Sequence, residues 1–105
     1  MIVNDFTDAD ALPRRMAARP GHLSAAANML ESGVLVAGGA VLDSHDTSGR
    51  MTGSVFLLAG LESADHVRAA FANDPYVVGR VWNMESAEIV QVDLAGLGKL
   101  VAAAA

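Results

Sequence analysis

Two apolar runs with a short polar stretch between them fix the middle of this chain. Val34 to Leu42 is almost continuously apolar, and Thr52 to Ala59 is nearly so. Between them lies Asp-Ser-His-Asp-Thr-Ser-Gly-Arg, residues 43–50, made of turn formers. Runs of this length rich in Val and Leu read as strands, and so short a link makes them an antiparallel hairpin. The unbroken hydrophobicity of Val34–Leu42 predicts a strand buried on both faces.

The flanks of the hairpin are built alike. Met1 to Phe6 reads as a strand, with alternation at Ile2, Asn4 and Phe6. The polar Thr7-Asp8-Ala9-Asp10 caps a short helix from Leu12 to Ala18. Pro20 then predicts a break, because it donates no N–H and its ring clashes with the preceding turn. A second helix starts there, with Leu23, Ala26, Ala27 and Leu30 on one stripe and Gly33 as its stop. After the hairpin, Ser63 is an N-cap for a helix whose apolar face is Ala64, Val67, Ala70 and Phe71. Asn73-Asp74-Pro75-Tyr76 ends that helix. Val81 to Val92 is the last strand, with a bulge expected near Ser86-Ala87. The order β-α-β-β-α-β specifies an α+β, ferredoxin-like domain with an antiparallel sheet over residues 1–93. Residues 94–105 form an Ala-rich tail.

Composition narrows the function. The chain has 105 residues, enough for one domain, yet it is 52% hydrophobic with a mean hydropathy of +0.35. A sheet with helices on one face leaves the other uncovered, so the apolar excess predicts a homodimer packed sheet to sheet. No apolar run is long enough for a membrane span, which needs about 20 residues. A net charge of −5 argues against nucleic acid and anionic membranes as partners. Without cysteine there is no thiol nucleophile, thiolate metal site or disulfide. The start Met-Ile-Val-Asn-Asp lacks the basic opening of a signal peptide, so a cytoplasmic location is expected.

No phosphate-loop, dinucleotide, zinc-protease or serine-hydrolase motif is present, and three scattered histidines lack metal-ligand spacing, so neither cofactor nor metal is expected. The constrained histidine is His22, placed by Pro20 in the first turn of a helix, where the positive end of the dipole disfavours imidazolium. His45 and His66 read as surface. Arg14, Arg15 and Arg19 form either a solvated face, neutralising carboxylates such as Asp8 and Asp10, or a grip on an anionic substrate. Arg19, beside His22, is the best placed of them. Gly38 marks a close backbone approach or a pocket wall. Ser54 bonds locally or lines a cavity, and Trp82 reads as packing. Asp74 is either a turn residue bonding its own backbone or a carboxylate partner for the His22 ring. Nothing local brings residues 22 and 74 together.

The segment Arg15-Met-Ala-Ala-Arg19-Pro-Gly-His22-Leu23, followed by Gly33-Val-Leu-Val-Ala-Gly38, Gly53-Ser54 and Asp74-Pro75-Tyr76, resembles the YCII-related family of small dimeric proteins. The resemblance runs from Ile2 to Val92. Gly39 stands where that family commonly has proline, and the first strand lacks its usual aromatics. The resemblance implies a ferredoxin-like fold that dimerises into an α/β barrel, with His22 and Asp74 as a catalytic dyad. Its best-understood activity is dehydrochlorination of a chlorinated hydroxyhydroquinone. The expectation is a cofactor-free lyase or isomerase acting on a small cyclic or phenolic molecule. Arg19 would steady an oxyanion or carboxylate, and Ser54 and Tyr76 would supply hydrogen bonds. An aromatic content of 5% favours an aliphatic pocket. The alternatives are a small-molecule-binding or accessory domain and a purely structural dimer, with the same polar pair buried.

Overall fold

A computed structural model describes residues 1–94. The expected tail, apart from Leu94, lies outside the described residues. The elements are β1 (Ile2–Asp5), α1 (Ala11–Ser32), β2 (Leu35–Leu42), β3 (Met51–Leu58), α2 (Ala64–Phe71), α3 (Pro75–Val78) and β4 (Trp82–Glu88). The four strands form one antiparallel sheet in the order β2-β3-β1-β4, the ferredoxin-like arrangement. Among the described residues no helix is long and apolar enough to cross a membrane.

Three sequence expectations are corrected. Pro20 does not break the helix: α1 runs unbroken for 22 residues through it. The amide hydrogen bond that Pro20 cannot make leaves the Met16 carbonyl spare, and both residues are exposed, where water can take that carbonyl. Helix on both sides of the proline is held by buried side chains, Arg15 before it and His22 after it. Tertiary anchors outweigh the local cost. His22 is therefore a mid-helix residue, and the dipole argument for it lapses.

The second correction concerns β2. It is an edge strand, hydrogen-bonded only to β3, and Leu35 is its one buried residue. The third concerns β1, where Val3 and Asp5, not Ile2 and Asn4, point into the core.

The remaining punctuation follows local chemistry. Gly33 closes α1 in the left-handed region at φ 84°, with its N–H on the Leu30 carbonyl. The Ser63 side chain accepts from the His66 amide and caps α2. The bulge lies at Ser86: Ile2 pairs with Glu88 but Asn4 with Asn83. The Ser86 hydroxyl accepts from the Asn4 amide (2.9 Å) and donates to the Asn83 carbonyl (2.6 Å). Between sheet and helices lies a core of Val3, Leu35, Phe56, Val67, Phe71, Tyr76, Val81 and Trp82. Phe56, Phe71 and Trp82 meet one another at centroid distances of 5.2–5.5 Å. That cluster forms the floor beneath α1.

Candidate functional site

The unbroken helix sets the geometry. Arg15, Arg19 and His22 fall on one face of α1, within two turns. They look across at Asp74 and Tyr76, at the start of α3. Asp74 is the N-cap of α3 and its Oδ1 accepts from the Tyr76 amide at 2.8 Å. Pro75 follows at the first helical position, where it suits the turn. Its ring packs at Gly21, where an added Cβ would lie 3.0 Å from Pro75 Cγ. The turn that caps α3 thus carries a carboxylate to His22.

His22 Nδ1 lies 2.9 Å from Asp74 Oδ1 and 3.0 Å from Oδ2, and both residues are buried. An ionised carboxylate only accepts, so the hydrogen belongs on Nδ1. Nε2 is then the acceptor. It has no partner among the described residues, and it is not sealed from solvent. His22 stacks face to face on Tyr76, with centroids 3.8 Å apart and planes 10° apart, and meets Trp82 and Phe56 edge-on. The ring is fixed on three sides.

The Arg15 guanidinium lies 4.8 Å from the centroid of the same Tyr76 ring. Its Nη1 donates to both oxygens of Asp5 at 2.9 Å, and its Nη2 to Ser54 Oγ at 3.2 Å. Ser54 also accepts from the Trp82 indole N–H at 3.0 Å. Arg15 is 3% exposed and its Nε is buried without a partner among the described residues. Burial pushes the Asp5 carboxyl up, against the pull of the Arg15 hydrogen bond and charge. Burial also pushes the Tyr76 phenol up, with the Arg15 and Arg19 charges opposing.

A cavity of about 350 Å³ opens between α1 and β2, bordered by Arg15, Arg19, His22 and Tyr76 at its polar end. That volume is within the usual range for small-molecule sites. Among the described residues no three His, Cys, Asp or Glu side chains are grouped to hold a metal.

A model of the YCII-related domain matches residues 1–92. The chain belongs to the YCII-related domain family. Among solved structures it is similar to the 5-chloro-2-hydroxyhydroquinone dehydrochlorinase of Burkholderia phenoliruptrix, determined in complex with 2,5-dihydroxybenzoquinone. The two share 24% identity over 92% of this chain and 94% of that one, with a TM-score of 0.66. The likeness is one of fold. No curated protein matches the sequence.

The residues singled out in this YCII-related domain divide into two groups. His22, Arg19, Tyr76 and Gly38 border the cavity, with Asp74 directly behind His22. Ser54 does not border it: its hydroxyl is 1% exposed and is taken by Arg15 and Trp82. Gly38 also makes room for Phe56, since a Cβ there would lie 2.7 Å from Phe56 Cδ1. His45 and His66 are exposed. Arg14 leaves the site and pairs with Asp8 at 2.6 and 2.8 Å. The Arg15–Asp5 pair was missed. Arg15 and His22 are seven residues apart and share a face only if the helix runs through Pro20.

Proposed function

We propose that this YCII-related domain is a cofactor-free enzyme in which His22 acts as a general base on a small cyclic or phenolic molecule. The observation that carries this reading is the His22–Asp74 contact, with Nδ1 held by the carboxylate in a ring that borders the cavity. Asp74 fixes the tautomer and favours the imidazolium that forms when Nε2 takes a proton. The electrons released then either expel a leaving group, as in loss of chloride, or return to a proton delivered at another atom, which is isomerisation. Arg19, exposed at the cavity rim, receives the oxyanion that develops; the Tyr76 phenol donates a hydrogen bond. The dehydrochlorinase of similar fold supports elimination as the reaction class. One positioned base contributes about 10²–10⁴-fold in rate. The test is turnover of chlorinated hydroquinones and related phenols, followed by mass spectrometry. A His22→Ala variant with undiminished turnover would falsify the assignment.

The working unit is proposed to be a homodimer. Ile2 and Val55 pair across β1 and β3 on the sheet face that no helix covers, and they are 46% and 40% exposed. A second copy packed on that face would bury them. The competing reading, a binding module with a structural polar pair, predicts ligand binding without turnover in the same assay.

A further inference from the structure

The cavity is not uniform along its length. Its aromatic rings and cations gather at one end, around His22, Tyr76, Arg15 and Arg19. Beyond His22 the walls are mostly aliphatic: Leu23, Ala26, Ala27 and Leu30 on α1, glycines and Ala40 on β2 opposite, and Met51 and Phe56 on β3. From Arg19 to Leu30 the helix rises about 16 Å. Leu23 and Leu30 are half exposed, at 48% and 54%. On β2 the lining beyond Leu35 is Gly38, Gly39 and Ala40, which leaves the strand wall without a large side chain there.

Two observations at the polar end point to a ligand. His22 is 6% exposed and borders the cavity, yet its Nε2 has no hydrogen-bond partner among the described residues. Arg19 has no carboxylate within ion-pair distance among the described residues, whereas Arg14 and Arg15 both do. A cation and an imidazole nitrogen without partners among the described residues, and a flat aromatic floor, are followed by a mostly aliphatic trough. This arrangement is complementary to an amphiphile.

We propose that the substrate class is an acidic, flat head group bearing an alkyl arm, the head on Arg19 and His22 and the arm lying between α1 and β2 toward Leu30. This rests on the reading of His22 as the site's base and adds what the rest of the molecule looks like. A small ring without an arm would leave the Leu23–Leu30 side wet.

The experiment is calorimetric titration of the full chain with 4-alkylbenzoates, from methyl to octyl. Each methylene that reaches the trough is expected to tighten Kd about fourfold, with a plateau once the arm passes Leu30. Arg19→Gln is expected to weaken every member by a similar factor and leave the slope unchanged. Ala27→Trp fills the trough from an exposed helix position and is expected to end the rise several methylenes earlier. Ala40→Leu does the same from the strand side if the tryptophan variant fails to fold. Affinities that do not depend on arm length overturn the proposal, as does a slope indifferent to both filling variants. Sedimentation run alongside identifies one further refuting outcome: an arm-length dependence that tracks dissociation of a dimer assigns the trough to a second copy. The series reads binding alone. Flat affinities therefore leave the base assignment standing, and an active His22→Ala variant leaves the trough standing.

Discussion

Asp74→Asn separates what the Asp74 carboxylate does for the fold from what it does for His22. In the native protein Oδ1 takes both the Tyr76 amide (2.8 Å) and His22 Nδ1 (2.9 Å), while Oδ2 sits 3.0 Å from the same nitrogen. Asparagine keeps one oxygen and places an NH₂ where the second oxygen was. Asn caps helices as well as Asp does, so the α3 cap survives. The NH₂, however, would face an Nδ1–H, donor against donor. Oδ1, already taken by the Tyr76 amide, is then the one acceptor left to Nδ1–H; moving the ring hydrogen to Nε2 lets Nδ1 accept from the NH₂ and turns Nε2 from acceptor into donor. Stability should fall by only about 1 kcal/mol, the difference between a charge-assisted and a neutral hydrogen bond. Catalysis should fall by roughly 10⁴, the scale of a wrong tautomer with its geometry intact. Asp74→Ala loses about 1 kcal/mol more for the cap, and about 1–3 kcal/mol for a buried ring nitrogen without a partner. The assays are long-range ¹H–¹⁵N NMR of the His22 ring and chemical denaturation. If Asp74→Asn leaves the hydrogen on Nδ1, or if Asp74→Ala is as stable as Asp74→Asn, the account of this carboxylate is wrong.

Three other outcomes are expected. Arg15→Met leaves Asp5 buried without its cation and should cost about 3–5 kcal/mol at neutral pH, with Asp5→Leu/Arg15→Met recovering most of it. Burial already holds the Asp5 carboxyl above its ordinary 3.8, so the fold favours its protonated form; the Arg15→Met penalty should be least below that value and grow as pH rises through the folded carboxyl's range. Gly38→Ala puts a methyl 2.7 Å from Phe56 Cδ1, against a ring wedged between Phe71 and Trp82, and should destabilise by about 1–3 kcal/mol in thermal melts. Arg14 holds the Asp8 carboxyl down to about 2 from 3.8, so that pair contributes above pH 3.8 and its contribution is lost as pH falls toward 2; because the pair is exposed the step is small, and Asp8→Asn should remove it from an acid titration and lower the neutral-pH melt by the same small amount.

The order of elements was legible because each rests on short-range chemistry. The run Met51–Leu58 after a turn-rich loop, Ser63 ahead of α2, Gly33 behind α1 and the phase slip at Ser86 are all local signals. What failed depends on partners distant in sequence. Pro20 speaks for a break, and it is partners outside the helix, Asp5, Ser54, Asp74 and Tyr76, that hold α1 together across it. Val34–Leu42 looks buried because composition cannot report which strand lies at the edge. In β1 the alternation could be taken in either phase, since Asn4 and Asp5 are equally polar. Only the Arg15 pair explains why Asp5 faces inward. The His22–Asp74 contact was invisible to spacing and came from family resemblance. The Arg15–Asp5–Ser54–Trp82 group was read from neither, because an arginine on a predicted amphipathic helix looks like solvent-facing charge.

Tyr76 joins the two halves of α1. Its ring lies against His22, after the proline, and against Arg15, before it. A helix missing one internal hydrogen bond is the natural place for a hinge, but this one is bridged by a single rigid plate 1% exposed. Flexing at Pro20 would have to peel both side chains from that plate at once. The helical wall of the cavity is therefore the fixed jaw. Of the two walls β2 is the less constrained, since among the described residues it has a hydrogen-bonded neighbour on one side only and it carries glycines at its middle.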